Sequence, residues 1–392
     1  EGAVIGTGFD RANLRVNTEL RRGILTVGEN IALSRSTVAD MTGNPLREAL
    51  RMAPVLPVHD SANPSGWGYG TDAVQTFATN PVGLQLTNDE TRQRDQAFGT
   101  IFAEARLTSF LRYRFNLGFQ QETITDDRFN ERAELRYRDV EQPQEYFNSR
   151  DALTSILYEN LLTADRTFGD HTLNAVVGFT EQEERYESLG ASRRGYPDMD
   201  LQVINAGTIE PTNSGAIQGY ALRSYLVRAN YSFAGRYLLT GSFRRDGSSR
   251  FGPERRYANF ASGSVGWVVS DEAFYASIPL LGRFADFLKL RASYGTLGDQ
   301  GIPNYQYAGL IASNNSYPLG TSGAIIPGAT QLNLANPSIR WQENTATDFG
   351  LDAGFGAFSL TADYFINESA GLLVRPPLPS SLGARNGPFL NI

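Results

Sequence analysis

Cysteine is absent from this chain of 392 residues, and histidine occurs only twice. Without cysteine, disulfide bonds, zinc–thiolate sites and cysteine nucleophiles are excluded. No apolar run reaches the ~20 residues of a membrane-spanning helix, which excludes a helical membrane protein but leaves a barrel of strands open. The net charge of −7, with no run of basic residues, argues against a nucleic-acid partner.

Glycine and aromatic residues are abundant instead, with 39 Gly, 23 Phe and 18 Tyr. This composition is typical of a protein built from many hairpins. The chain is organised around residues 219–270, where apolar and polar side chains alternate along three predicted antiparallel strands. Each strand therefore has one apolar and one polar face, and the tight turn at Ala234-Gly235 favours a hairpin between the first two.

Aromatic residues at the strand ends favour a membrane barrel over a soluble sandwich. Amphipathic rings lie at the level of lipid headgroups, whereas a sandwich would place large rings in its core. In residues 219–270, aromatic side chains gather at both ends of the apolar band. They are Tyr231, Phe233 and Tyr237 at one end, and Tyr257 and Phe260 at the other.

The polar faces indicate a wide, water-filled interior. Arg112 and Arg114 lie on the polar face of one predicted strand, and burying them in a dry core would be costly. We predict about 12 strands joined alternately by short turns and long loops, as in barrels with short periplasmic turns and long extracellular loops. A helix at Asp151–Leu162 stays open as an alternative to a strand. The long loops are predicted at residues 35–96, 124–150, 187–218 and 299–344.

A distinctive hairpin sequence lies at Tyr237–Gly252 (YLLTGSFRRDGSSRFG), and it is followed in order by Gly263–Glu272, Leu288–Gly298 and Asn336–Trp341. Together these segments resemble the SusC/RagA-type family of TonB-dependent outer-membrane transporters. The resemblance implies a barrel of about 22 strands with a plug in its lumen. It also implies an N-terminal segment that contacts TonB, and a lipoprotein lid of the SusD type. Since about 12 strands are too few for such a barrel and no plug candidate precedes Gly8, we expect residues 1–392 to be one partial barrel domain, truncated at both ends.

The candidate site residues are binding residues, because the sequence offers no catalytic constellation. His59 and His171 lack the partners of a triad, and we predict no enzymatic activity, no cofactor and no metal site. In the loop 35–96, Trp67 and Tyr69 either stack on a substrate ring or pack within the loop. On the polar faces, seven charged side chains either contact the plug, as the resemblance implies, or solvate the lumen. They are Arg112, Arg114, Arg228, Arg244, Arg291, Asp348 and Asp352.

These features predict an all-β, antiparallel transmembrane barrel portion, and the resemblance implies the outer membrane of a Gram-negative, Bacteroidetes-type cell. The predicted function, which the resemblance implies, is TonB-energised import of an oligomeric nutrient, either a glycan or a peptide. The implied partners are outer-membrane lipid, a TonB complex reached through a missing N-terminal region, a SusD-like surface lipoprotein, and an oligosaccharide or peptide substrate. A passive porin or structural barrel is the alternative, and a hydrolase would need a triad at the barrel rim.

Overall fold

Twelve strands form one antiparallel sheet in which each strand pairs with the next in the order β1 to β10, β13, β14. The computed structural model describes residues 2–131, 133–139, 143–198, 200–279, 285–321, 323–379, 381 and 386–392. β11 pairs with β12 and β15 with β16 in two small separate sheets. The strands are β1 (Gly8–Arg22), β2 (Leu25–Ala39), β3 (Asn88–Arg106), β4 (Leu111–Asn130), β5 (Glu145–Phe168), β6 (His171–Arg194), β7 (Ile209–Phe233), β8 (Tyr237–Ser248), β9 (Tyr257–Val268), β10 (Phe287–Asp299), β11 (Ile311–Leu319), β12 (Ala324–Gln331), β13 (Gln342–Phe355), β14 (Phe358–Ala370), β15 (Leu373–Val374) and β16 (Leu390–Asn391).

The predicted all-β fold and the number of main strands are confirmed, but the strands extend further into the predicted loops. β3 and β4 include residues 88–96 and 124–130, whose charged composition predicts loop. These positions form a sheet because opposite charges face each other across the strands, as Arg92 faces Asp126 at 2.5 Å. The four long loops are therefore shorter than predicted. They span residues 40–87, 131–144, 195–208 and 300–341.

The helical alternative at Asp151–Leu162 is wrong, because this segment lies within β5. Its residues pair with β4 on one side and with β6 on the other. A segment between two strands has its backbone donors and acceptors engaged in both ladders, so the sheet overrides its irregular side-chain alternation.

The connections separate into two ends of the sheet. At one end, which we call the turn end, five connections have only two to four residues, as at Ala234-Gly235 with φ of 53° and 72°. At the opposite end, the loop end, lie the four long loops and the β8–β9 loop of residues 249–256. The connection 269–286 departs from the predicted alternation, since it is long but lies at the turn end. Its described residues pack around Val269, Tyr275 and Ala285.

The two faces of the sheet differ as the alternation predicts. On one of them, the outer face, β7 keeps apolar side chains from Tyr225 to Phe233, close to the ~9–11 residues with which a tilted strand crosses a bilayer. The other strands continue this band, which we call the apolar belt, and many of its side chains are exposed. Its members include Leu14, Val16, Val27, Leu33, Ile101, Leu117, Tyr158, Leu162, Val177, Phe179, Tyr225, Val227, Leu239, Phe243, Val265, Trp267, Leu290, Tyr294, Phe349, Leu351, Leu360 and Tyr364.

Two polar groups inside the apolar belt have hydrogen-bond partners on the same face. Thr18 donates to the Glu29 carboxylate at 2.6 Å, and the Tyr113 hydroxyl donates to Asn160 at 2.7 Å. Such pairing reduces the cost of a polar group in apolar surroundings. Among the helices of the described ranges, none is both long and apolar enough to cross a membrane.

Candidate functional site

The polar face of the sheet is lined by ion pairs between neighbouring strands. Between β3 and β4, Glu90 accepts from Arg128 at 2.7 Å, and the next pair along is formed by Arg92 and Asp126. Arg94 and Glu122 continue the series at 2.8 Å. Many of these groups remain partly exposed, so this face borders water rather than a packed core, as the arginine-lined strands predict.

Arg112 and Arg114 both lie on this face and are engaged with neighbouring strands. Arg112 pairs with Asp165 of β5 at 2.7 Å. Arg114 lies 3.6 Å from Glu104 of β3, and its guanidinium lies 4.0 Å from the centre of the Phe102 ring. These arginines therefore stabilise the wall of the sheet from its polar side.

Arg291 is the centre of a cluster of two carboxylates on the polar face. It binds Asp352 through two hydrogen bonds, of 2.9 and 3.2 Å, and Asp363 through one of 2.8 Å. Gly350 leaves room for this arrangement, because a Cβ there would lie 2.6 Å from the Arg291 guanidinium carbon and would displace that side chain. Of the seven predicted charged residues, Arg291 and Asp352 are the two that this cluster brings together. The sequence analysis missed Asp363, whose position in β14 opposite Gly350 depends on strand register.

Of the remaining three predicted residues, Arg228 and Arg244 are diagonal neighbours on β7 and β8, whereas Asp348 lies apart on β13. Arg244 contacts Asp246 on its own strand at 3.2 Å. Arg228 and Asp348 lie on β7 and β13, and neither forms an ion pair or side-chain hydrogen bond within the part of the chain that the structure describes. The structure does not test whether any of the seven contacts a plug, so that role stays a prediction.

The β2–β3 loop folds around a buried asparagine. Asn80 is 2% exposed and begins the short helix α2 (Pro81–Leu86), whose Val82 and Gly83 amides donate to its side-chain oxygen. Its side-chain nitrogen donates to the Val58 and Gly68 carbonyls at 2.8 and 2.7 Å. One side chain therefore joins three segments of the loop.

A second buried polar group, Glu48, lies in the helix α1 (Pro45–Arg51) of the same loop. Its carboxylate accepts from the Thr79 amide at 3.0 Å and from the side chains of Arg47 and Arg51. The Thr79 hydrogen bond, with help from the two arginines, lowers the pKa of Glu48 against the opposing effect of burial. We call Glu48, Asn80 and their hydrogen-bond partners the polar loop core. The sequence analysis missed both residues, because backbone groups distant in sequence supply many of their partners.

Trp67 and Tyr69 are engaged within the loops. The Trp67 ring lies 4.5 Å from the His59 ring, and a Cβ on Gly83 would lie 2.9 Å from it. The Tyr69 hydroxyl donates to Glu134 of the β4–β5 loop at 2.9 Å. Burial and this hydrogen bond raise the pKa of Tyr69. Both side chains are partly buried, so stacking of a substrate on them stays a prediction.

Beside β8 and β9, the loop end is held by an apolar cluster. Its members, which we call the apolar loop core, are Phe251, Phe260, Ile302, Ile339 and Trp341. Phe251 and Ile339 are fully buried, and the Trp341 ring lies 5.3 Å from that of Phe251. The Trp341 indole donates to the Arg256 carbonyl at 2.8 Å, so its polar atom is satisfied. This cluster joins residues 249–256 to both ends of residues 300–341.

The two histidines have aromatic neighbours. His171 lies at the turn end, where its Nδ1 is 2.6 Å from the Tyr231 hydroxyl and its ring stacks on Phe168 at 5.1 Å. His59 packs on Trp67. Among the described residues, no group of three or more His, Asp or Glu side chains is placed to hold a metal ion.

The sheet of alternating faces, the turn end and the loop end together match a known family. A model of the family described as TonB dependent receptor-like, beta-barrel, matches residues 55–392. The chain belongs to this family. Its members are TonB-dependent transporters and receptors rather than enzymes.

The relatives of this receptor barrel support the resemblance to the SusC/RagA type, which is confirmed. TonB-dependent receptor P3 of Formosa agariphila is 26% identical over 98% of this chain. TonB-dependent receptor SusC of Bacteroides thetaiotaomicron is 32% identical over 56% of it. The chain spans 38% of the first relative, and its match to SusC spans 22% of that protein.

A solved structure shows the same fold. The RagAB peptide transporter contains a chain that matches 98% of this receptor barrel with a TM-score of 0.79, at 22% sequence identity. The match covers 43% of that chain. The described sheet therefore has the fold of part of a larger TonB-dependent barrel.

Proposed function

We propose that the protein containing this chain imports an oligomeric nutrient, a glycan or a peptide, across the outer membrane with energy supplied through TonB. The observation that carries the proposal is the match of residues 55–392 to the TonB-dependent receptor barrel. In this proposal the chain is part of the barrel wall, its apolar belt contacts outer-membrane lipid, and its polar face lines the lumen. The loop end is then the external side, where a SusD-like lipoprotein covers the substrate.

We also propose that Arg228 and Asp348 are the wall residues that contact the plug. The other five predicted charges already have ion-pair partners in the wall. Arg228 and Asp348 lie on the same polar face, and no other described side chain pairs with them. Their charged groups are therefore available to bind groups that lie in the lumen.

Uptake in living cells tests the import proposal. The gene for the complete protein is deleted and restored in a strain with TonB and in one without it. Labelled oligosaccharides and labelled peptides are then offered separately, and the imported species are identified by mass spectrometry. We expect one substrate class to enter only when both the receptor and TonB are present. Uptake that depends on the receptor but not on TonB would identify a passive barrel and refute the proposal.

Permeability of the outer membrane tests the plug contacts. Arg228→Ala in the complete protein is expected to loosen the plug and increase sensitivity to an antibiotic too large for ordinary porins. Arg112→Ala is the matched control, because Arg112 lies on the same face but pairs with Asp165. Equal sensitivity of the two variants would contradict a special role for Arg228.

A further inference from the structure

Toward the loop end, the apolar belt stops at a row of polar positions on the outer face. On β7 the belt ends between Tyr225 and Arg223, and on β8 it ends between Phe243 and Arg245. We call this row the rim. Its members are Arg35, Asp95, Gln121, Thr154, Glu181, Arg223, Arg245 and Asn259. In a bilayer, the position just beyond an apolar band is the level of the lipid headgroups.

Two of the rim arginines are paired with carboxylates. Arg35 lies 2.6 Å from Asp95, and Arg223 lies 2.6 Å from Glu181. Arg245 differs, since within the described ranges no carboxylate lies in ion-pair distance of it. It is exposed on the outer face, so its guanidinium is accessible to an external anion.

A tyrosine ring packs beside Arg245 at the rim. Tyr257 is directly opposite Gly247, and its ring lies so close that a Cβ on Gly247 would be 2.4 Å from a ring carbon. The guanidinium carbon of Arg245 lies 5.1 Å from the centre of the same ring. Gly247 is also directly opposite Arg223, so the two arginines are diagonal neighbours across the glycine. Such neighbours are separated by ~7–8 Å, which brings both side chains within reach of one phosphate group.

We propose that Arg245, assisted by Arg223, binds a phosphate group at the rim, supplied by the headgroup of a membrane lipid. The guanidinium fork matches phosphate oxygens and retains its charge at any physiological pH. Because the site lies at the edge of the apolar belt, it favours the phosphate of a lipid whose acyl chains lie along that belt. Arg245 is the main contributor, because Glu181 already occupies Arg223. The proposal rests on the membrane placement given under the proposed function.

Lipid binding to the complete protein tests this site. Wild type, Arg245→Ala and Arg245→Gln are purified in detergent and mixed with phosphorylated lipid A, with the same lipid A after removal of its phosphates, or with inorganic phosphate. Native mass spectrometry then measures the bound fraction. Arg244→Ala is the matched control, because it removes an arginine from the next position of the same strand but from the opposite face.

We expect phosphorylated lipid A to bind wild type and Arg244→Ala about ten-fold more tightly than either Arg245 variant, the size of one charge-assisted hydrogen-bonded pair. Dephosphorylated lipid A is expected to bind all four proteins equally weakly. Equal binding of the phosphorylated lipid by Arg245→Ala and Arg244→Ala would overturn the site. Displacement of the lipid by inorganic phosphate at equal concentration would show a free-phosphate site and overturn the lipid assignment. In either case TonB-dependent uptake by wild type is unaffected, so failure here leaves the import proposal standing.

Discussion

The β2–β3 loop and the loops beside β8 and β9 both fold back over the loop end, but around different interiors. The polar loop core is organised by Asn80 and Glu48, which are buried and joined to backbone groups. The apolar loop core is organised by Phe251 and Trp341, with few polar atoms to satisfy. A network of hydrogen bonds fails when one partner or one proton changes, whereas an apolar cluster fails when volume is lost. The two regions should therefore respond to different perturbations.

Removing a buried ring from the apolar loop core should have the largest effect. Phe251→Ala leaves a cavity beside Trp341, and such a change costs ~3–5 kcal/mol. We expect the free energy of local opening of residues 300–310 and 336–341 to fall by this amount, measured by amide hydrogen exchange on the complete protein. Exchange in the β2–β3 loop should not change.

Phe274→Ala is the control for that experiment, since Phe274 is 48% exposed at the turn end. We expect it to change local opening at the loop end by less than ~0.5 kcal/mol. If both substitutions accelerated exchange equally, the loops would not depend on the apolar loop core.

Removing the central amide of the polar loop core should have the next largest effect. Asn80→Ala leaves the Val58 and Gly68 carbonyls and two helix amides without partners, and each unsatisfied buried group costs ~1–3 kcal/mol when water cannot reach it. We expect opening of residues 56–87 to become easier by ~2–4 kcal/mol, again by hydrogen exchange.

Asn44→Ala is the matched control for Asn80, because Asn44 begins α1 in the same loop. Its exposed side chain accepts one hydrogen bond, from the Arg47 amide at 3.0 Å. Loss of such a cap costs ~0.5–2 kcal/mol. A loss equal to that of Asn80→Ala would show that capping, and not burial, sets the stability of this loop.

Lowering the pH should destabilise the polar loop core but not the apolar loop core, without any substitution. The pKa of Glu48 is lowered in the folded loop, so its contribution is present above the unfolded pKa, ~4.3, and is lost as pH falls through the folded value. Hydrogen exchange, corrected for its intrinsic pH dependence, should show the β2–β3 loop opening below about pH 4 while the apolar loop core stays protected.

Glu48→Gln supplies the control for the acid experiment, because its amide does not titrate in this range. The variant should open more readily than wild type at neutral pH and show a weaker acid dependence. An unchanged acid dependence in this variant would assign the effect to another group.

The apolar belt and the loop cores differ in how far the sequence predicts them. In the belt, alternation over many positions specifies which residues share a face, so strands such as β7 and β8 are predicted before their pairing is known. The charged strand extensions were missed, because Arg92 pairs with Asp126 on the neighbouring strand, a contact that depends on strand register. Glu48 and Asn80 were missed for the same reason, since Thr79 and Gly68 lie far from them in sequence. Side-chain alternation therefore predicts which residues share a face of the sheet. Hydrogen-bond and ion-pair partners depend in addition on strand register and on how the loops fold.

The smallest effect on stability should come from disturbing the Arg291 cluster on the polar face, which remains in contact with water. Comparing it with Asn80 tests whether burial is what makes the polar loop core important. Gly350→Ala places a Cβ 2.6 Å from the guanidinium carbon of Arg291, so the bonds from Arg291 to Asp352 and Asp363 are displaced. Ion pairs accessible to water contribute only ~0–1 kcal/mol each, since solvent screens them.

We therefore expect Gly350→Ala to lower the stability of the complete barrel by no more than ~1 kcal/mol, measured by unfolding in denaturant. Gly241→Ala is the matched control, because a Cβ there meets no atom within 4 Å. A loss for Gly350→Ala as large as that for Asn80→Ala would mean that exposed ion pairs on the polar face are as important as buried hydrogen bonds. Burial would then not be the reason why the hydrogen bonds of the polar loop core are important for stability.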